Sequence, residues 1–221
     1  MSIAELGAAA RASGLALRGA LHPDPEDGAP EGTGTLVLLG PDEPAFWPIF
    51  TASPEYADGA PDPLDRWSRR VIGALAEAWD GTALFPSDGP PYAPFLRWAE
   101  ASGQAWPAPV GLMVHAQAGL FISYRGALAL PVMLDLPPAA THPCPACAQP
   151  CLTACPVGAL GPGQAYDVPR CQAHVASPAG RDCREAGCRV RRACPVAQEG
   201  FQRLVAQSAF HMAAFMQNYR P

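Results

Sequence analysis

The spacing of apolar side chains marks one helix most clearly. Leu64, Trp67, Val71, Ile72, Leu75 and Trp79 recur at three- and four-residue intervals, while Arg66, Arg69, Arg70 and Glu77 fall elsewhere. This predicts an amphipathic helix from Pro63 to Trp79, with proline in its first turn and Gly81 at its end. Ser2 can cap a short helix ending near Gly14, and Leu15 to Leu21 then reads as a strand. The Pro-, Gly- and acid-rich stretch from His22 to Gly34 is a loop by its turn chemistry. Thr35 to Leu39 reads as a buried strand, Pro44 to Phe50 as a short helix and Ala93 to Ser102 as another. Val110 to His115, Leu120 to Tyr124 and Ala127 to Val132 read as consecutive strands, with Gly119 and Gly126 at the turns. A last helix is expected from Gln198 to Gln217, where Phe201, Leu204, Val205, Ser208, Phe210, Met212 and Phe215 suggest a face packed back onto the protein.

Composition narrows the function classes. Hydrophobic residues make up 49% of the 221, enough to form a core rather than a disordered chain. A formal charge of −5 argues against a dedicated nucleic-acid binder, which needs a basic surface. All 15 basic residues are arginine, and the absence of lysine excludes a Schiff-base enzyme and a Walker-type phosphate loop. The first twenty residues lack the basic start and continuous apolar run of a secretory signal. No stretch approaches the ~20 apolar residues of a membrane span. A soluble, cytoplasmic protein without membrane contact is expected, and in a reducing compartment cysteines serve as metal ligands more often than as disulfides.

All eight cysteines lie between Cys144 and Cys194. That asymmetry divides the chain into an α/β domain over 1–137 and a cysteine-bearing domain with a terminal helix over 138–221, joined by the proline-rich stretch from Leu136 to Pro143. The first group reads Cys144-Pro-Ala-Cys147-Ala-Gln-Pro-Cys151-Leu-Thr-Ala-Cys155-Pro156. Three closely spaced thiolates can wrap one cubane cluster, while a fourth followed by proline turns away to ligate a second. Three residues separate Cys147 from Cys151, where the common bacterial run has two. The second group, Cys171, Cys183, Cys188 and Cys194-Pro195, repeats the Cys-Pro ending. In the crossed pattern Cys144, Cys147, Cys151 and Cys194 hold cluster one, and Cys155, Cys171, Cys183 and Cys188 hold cluster two. The alternatives are one cluster with spare thiols, or a cluster plus zinc. Zinc ribbons use two separated CxxC knuckles, and this chain has one.

Arg181, Arg184, Arg189, Arg191 and Arg192 surround the second group. They can raise a cluster potential or steer an acidic redox partner, or they form a solvated loop that balances cluster charge. Arg125 beside Gly126 suits a phosphate or carboxylate, its alternative being a surface charge at a strand end. His115 is a candidate cofactor contact or a satisfied histidine at a strand end. The aromatics Phe46, Trp47, Phe50, Phe95, Trp98 and Trp106 either line a cavity or fill a core, and they are not assigned to a site.

The run from Cys144 to Pro156, the following Val157-Gly158-Ala159-Leu160, Arg170-Cys171 and Cys194-Pro195 resemble the iron–sulfur module of epoxyqueuosine reductases and reductive dehalogenases. In that family a Cys-x-x-Cys pair precedes the last Cys-Pro. Here Arg191 occupies one of those places and Cys183 substitutes. The N-terminal half resembles the cobalamin-processing decyanase/dealkylase family through Thr35-Leu-Val-Leu-Leu-Gly40 and Val110-Gly-Leu-Met-Val-His115-Ala-Gln-Ala-Gly119-Leu-Phe-Ile-Ser-Tyr-Arg125-Gly126. It departs from that family's stretch where Ala116 replaces proline and Phe121 replaces tryptophan. The resemblance implies an α+β protein: a nitroreductase-like, cobalamin-processing-type α/β domain followed by a small ferredoxin-like domain with two [4Fe-4S] clusters. It also implies cobalamin, met by His115 and Arg125, although the chain has no Asp-x-His-x-x-Gly element.

The expected function is iron–sulfur electron transfer, with single electrons delivered to a corrinoid on the N-terminal domain. Such a protein would be a cobalamin-linked oxidoreductase. Two alternatives stand beside it. One is a ferredoxin-like carrier without cobalamin, whose N-terminal domain docks redox partners. The other is a zinc-binding interaction module.

Overall fold

The computed structural model describes residues 2–196 and 205–218. In chain order the elements begin α1 (Ile3–Ala12), β1 (Leu15–Leu21), β2 (Thr35–Pro41), α2 (Phe46–Thr51), α3 (Pro54–Ala57), α4 (Pro63–Ala78) and β3 (Thr82–Leu84). They continue with α5 (Phe95–Ala101), β4 (Ala105–Pro107), β5 (Met113–His115), β6 (Gly126–Leu130), α6 (Val168–Ala176), α7 (Arg181–Ala186), α8 (Arg189–Arg192) and α9 (Val205–Asn218). The protein is α+β, with small antiparallel sheets and helices. None of the described helices is long and apolar enough to cross a membrane.

The chain forms two compact units, and both are discontinuous. The first comprises Met1–Ala105 and Ser123–Thr141, the second Trp106–Ile122 and His142–Pro221. Beside the boundary expected after residue 137, this moves Trp106–Ile122 into the unit that carries the cysteines.

The first unit is built on a four-stranded antiparallel sheet in the order β1-β2-β6-β3. Ser2 and Glu5 form a capping box at the start of α1, each satisfying a backbone N–H of the other. β1 pairs with β2 from Leu15↔Pro41 to Leu21↔Leu36, with a bulge between Leu17 and Gly19. Every residue of the central strands β2 and β6 is buried, which explains why their sequence is a continuous apolar run rather than an alternation. The amphipathic helix α4 packs its Trp67, Val71, Ile72 and Leu75 face on β6 and β3. Phe46 and Phe50 meet Trp67 edge-on, at 5.4 and 5.9 Å between ring centroids, and all three are fully buried. Phe95 and Trp98 pack together, and Trp98 donates to the Asp27 carbonyl at 2.7 Å. These aromatic groups are core.

The second unit begins within β4, which pairs with β5. No strand forms over Leu120–Tyr124, contrary to expectation. His115 instead bridges Gly119 across a tight turn, and the chain reverses before a strand can start. Leu120 then joins Ala108, Val110, Val114, Leu160 and Val190 in a small core that includes Cys151 and Cys194. Of the expected terminal helix, the part before Val205 lies outside the described residues, and α9 covers the remainder.

Candidate metal centre

The cysteines sit on short elements that the local sequence terminates sharply. Gln149 adopts a left-handed conformation, and a 3-10 turn over Pro150–Thr153 then presents Cys151. Asp167 caps α6 by accepting the Arg170 N–H at 3.0 Å, and that helix carries Cys171. Cys183 lies on α7. Gly187 ends α7 with φ of 85°, placing Cys188 at the start of α8. α8 packs on the 3-10 turn of Cys151, so Cys194, just beyond α8, returns to the first cysteine group. α6 packs on α7, which brings Cys171 and Cys183 together.

All eight thiols are free of disulfides. Their mutual electrostatics sort them into two quartets. Burial pushes the Cys144 thiol up, and Cys151, Cys194 and Cys147 push it further. Burial likewise raises Cys171, with Cys188, Cys155 and Cys183 as its like-charged neighbours. This is the division drawn by the crossed pattern. Buried thiols that repel one another ionise together only beside a compensating cation.

Three further observations fit an iron–sulfur group at each quartet. Backbone N–H groups aim at sulfur: Gln149 donates to Cys147 Sγ and Ala159 to Cys155 Sγ, both at 3.2 Å. Gly119 adopts φ of 53°, and a Cβ there would stand 2.7 Å from the Val196 carbonyl and 3.1 Å from Cys194 Sγ. The backbone therefore closes directly over a ligand position. Finally, thiolate is the soft donor that iron in such clusters selects. Among the described residues no group of three or more His, Cys, Asp or Glu side chains is arranged to hold a single metal ion. Sulfurs around a four-iron body stand further apart than sulfurs around one ion, so this does not bear on a cluster.

The other candidate residues are held by the fold itself. His115 belongs to the second unit and is 2% exposed. Its Nδ1 accepts the backbone N–H groups of Gln117 at 3.0 Å and Ala118 at 3.1 Å, so that nitrogen has no lone pair left for a ligand. Arg125 belongs to the first unit, and its Nη2 lies 3.5 Å from an Asp65 carboxylate oxygen. Burial pulls the Arg125 pKa down from the usual arginine range, and Asp65 opposes that pull. The two residues therefore occur in different units.

The arginines near the second group are also engaged. Arg189 and Arg192 both bond Asp182, the former at 2.6 Å, and Arg181 pairs with Glu185 at 2.8 Å. Arg184 donates to the Val175 and Ser177 carbonyls, and Arg191 to the Leu120 carbonyl. This is the pattern of a self-neutralised loop. Two contributors had no signal in the cysteine spacing. The Tyr166 hydroxyl acts on Cys171, opposing the burial that raises its thiol. His142, stacked on Trp106 at 4.9 Å, accepts the Cys144 N–H at 3.2 Å.

No protein-family model matches the chain, and a search of curated proteins finds no match.

Proposed function

We propose that the protein is a one-electron carrier whose two thiol quartets each hold a [4Fe-4S] cluster. The observation that carries this reading is that Cys144 has Cys151, Cys194 and Cys147 as its electrostatic neighbours while Cys171 has Cys188, Cys155 and Cys183, among eight cysteines free of disulfides. When bound, such clusters supply reversible single-electron transfer at potentials within about −700 to +450 mV. The chain's own part is to hold sulfur in place and set its surroundings. The Gln149 and Ala159 amides stabilise charge on Cys147 and Cys155. The apolar wall of Val110, Val114, Leu120 and Val190 limits water around Cys151 and Cys194. Arg191 fastens that wall through the Leu120 carbonyl.

A corrinoid is the electron acceptor that the resemblance implies. The internal engagement of His115 and Arg125 favours the carrier without cobalamin. The full chain, purified without oxygen, is expected to be brown, with iron and acid-labile sulfide in equal amounts and a reduced-state EPR signal. A colourless protein with bound zinc and no labile sulfide would overturn the reading. Titration of the same preparation with cobalamin under reducing conditions separates the acceptors: no spectral change supports the carrier, and a shift to the base-off form supports corrinoid reduction.

A further inference from the structure

We infer that the C-terminal helix α9 tunes cluster two, through a hydroxyl donor of its own at Ser208 and a second at Tyr166 that it holds in place by ring stacking. The inference rests on the two-cluster reading. Ser208 is 1% exposed, and its Oγ has no hydrogen-bond partner among the described residues. A buried hydroxyl without an acceptor is destabilising, so such a group in a native protein calls for an explanation. Its position supplies one. The Oγ lies 3.6 Å from where a Cβ of Gly187 would stand, and Gly187 immediately precedes Cys188. Gly187 itself takes φ of 85°, a conformation that glycine adopts without strain. The acceptor we assign to the Ser208 hydroxyl is the sulfur of the cluster that Cys155, Cys171, Cys183 and Cys188 would enclose.

Tyr166 supplies the second donor. Its hydroxyl neighbours the Cys171 sulfur. The Tyr166 ring stacks on Phe215 of α9, with centroids 6.3 Å apart and planes 9° apart. Gln172, the neighbour of Cys171, donates to the Phe215 carbonyl at 3.3 Å. α9 also packs along α7, which carries Cys183. One helix is thus linked to three segments that present cluster-two cysteines.

Hydrogen bonds to cluster sulfur favour the reduced, more negative state and raise the potential. Tyr166→Phe and Ser208→Ala are each expected to shift the one-electron equilibrium of one cluster about tenfold toward oxidation, a fall of ~59 mV in its midpoint. The other cluster should be unmoved, and Ser208→Thr should restore the parent value. EPR-monitored redox titration of the full chain, with iron and sulfide content held equal to the parent, reads the shift. If Tyr166→Phe releases cluster two, Phe215→Leu decides instead: it keeps the hydroxyl, frees the ring, and should lower the same midpoint by a smaller amount. Unchanged midpoints in proteins that carry both clusters would overturn the inference and leave the carrier reading standing. A parent protein without clusters would fail that reading first.

Discussion

At the scale of single residues, Gly119 and His115 decide the shape of the turn over Cys194. The imidazole accepts two consecutive backbone N–H groups, and the glycine supplies both a left-handed conformation and the space that Val196 and Cys194 occupy. Gly119→Ala adds a methyl group 2.7 Å from a carbonyl oxygen in a conformation that alanine resists. The variant should lose more than ~1 kcal/mol of stability, measured by denaturant unfolding of the metal-free protein. It should also retain less iron, because Cys194 is displaced. The cysteines themselves stand out in the sequence by their clustering and spacing. His115 was legible as unusual, but its backbone partners were not, since they depend on a reversal that side-chain pattern alone does not encode. Tyr166 and Ser208 gave no signal for a related reason: a single hydroxyl has no period, and only the fold shows what surrounds it.

At the scale of elements, α3 and α4 are tied by a paired carboxylate and guanidinium. Glu55 on α3 receives two bonds from Arg70 on α4, at 2.5 and 3.0 Å. The Arg70 guanidinium is the main cause that holds the Glu55 pKa down to about 2, from 4.5. A carboxylate so depressed stabilises the fold above its unfolded pKa and loses that contribution as pH falls through the folded one. Thermal melting from pH 7 to pH 2 should therefore show Glu55→Gln less stable by about 1 kcal/mol at neutral pH, since Arg70 is half exposed, with the gap narrowing below the unfolded pKa and mostly closed near pH 2. Elements with strong periodicity were the readable ones. β1 spans Leu15–Leu21 as its sequence suggests, and α4 ends within one residue of expectation. Leu120–Tyr124 misled because alternating apolar residues also suit a chain that lines a small core after a turn.

At the scale of the whole molecule, composition revealed two parts but not their true membership. A cysteine-free stretch reads as one domain, yet Trp106–Ile122 belongs with the thiols because its apolar residues pack around Cys151 and Cys194. Sequence proximity carries no information about an excursion of this kind. The crossed ligand sets make a direct prediction. Cys151→Ser should remove one cluster and Cys183→Ser the other, each leaving about half the iron and sulfide by chemical assay. The EPR spectra of the two variants should sum to that of the parent. If either variant lost all its iron, the thiols would serve one shared centre instead.

Interleaving also governs how such a protein can be made. The ribosome must pass Cys188 before one ligand set is whole and Cys194 before the other is, so the early thiols emerge long before either quartet can close. If the two quartets hold clusters, the two ligand sets become complete within the same short stretch of synthesis, six residues apart.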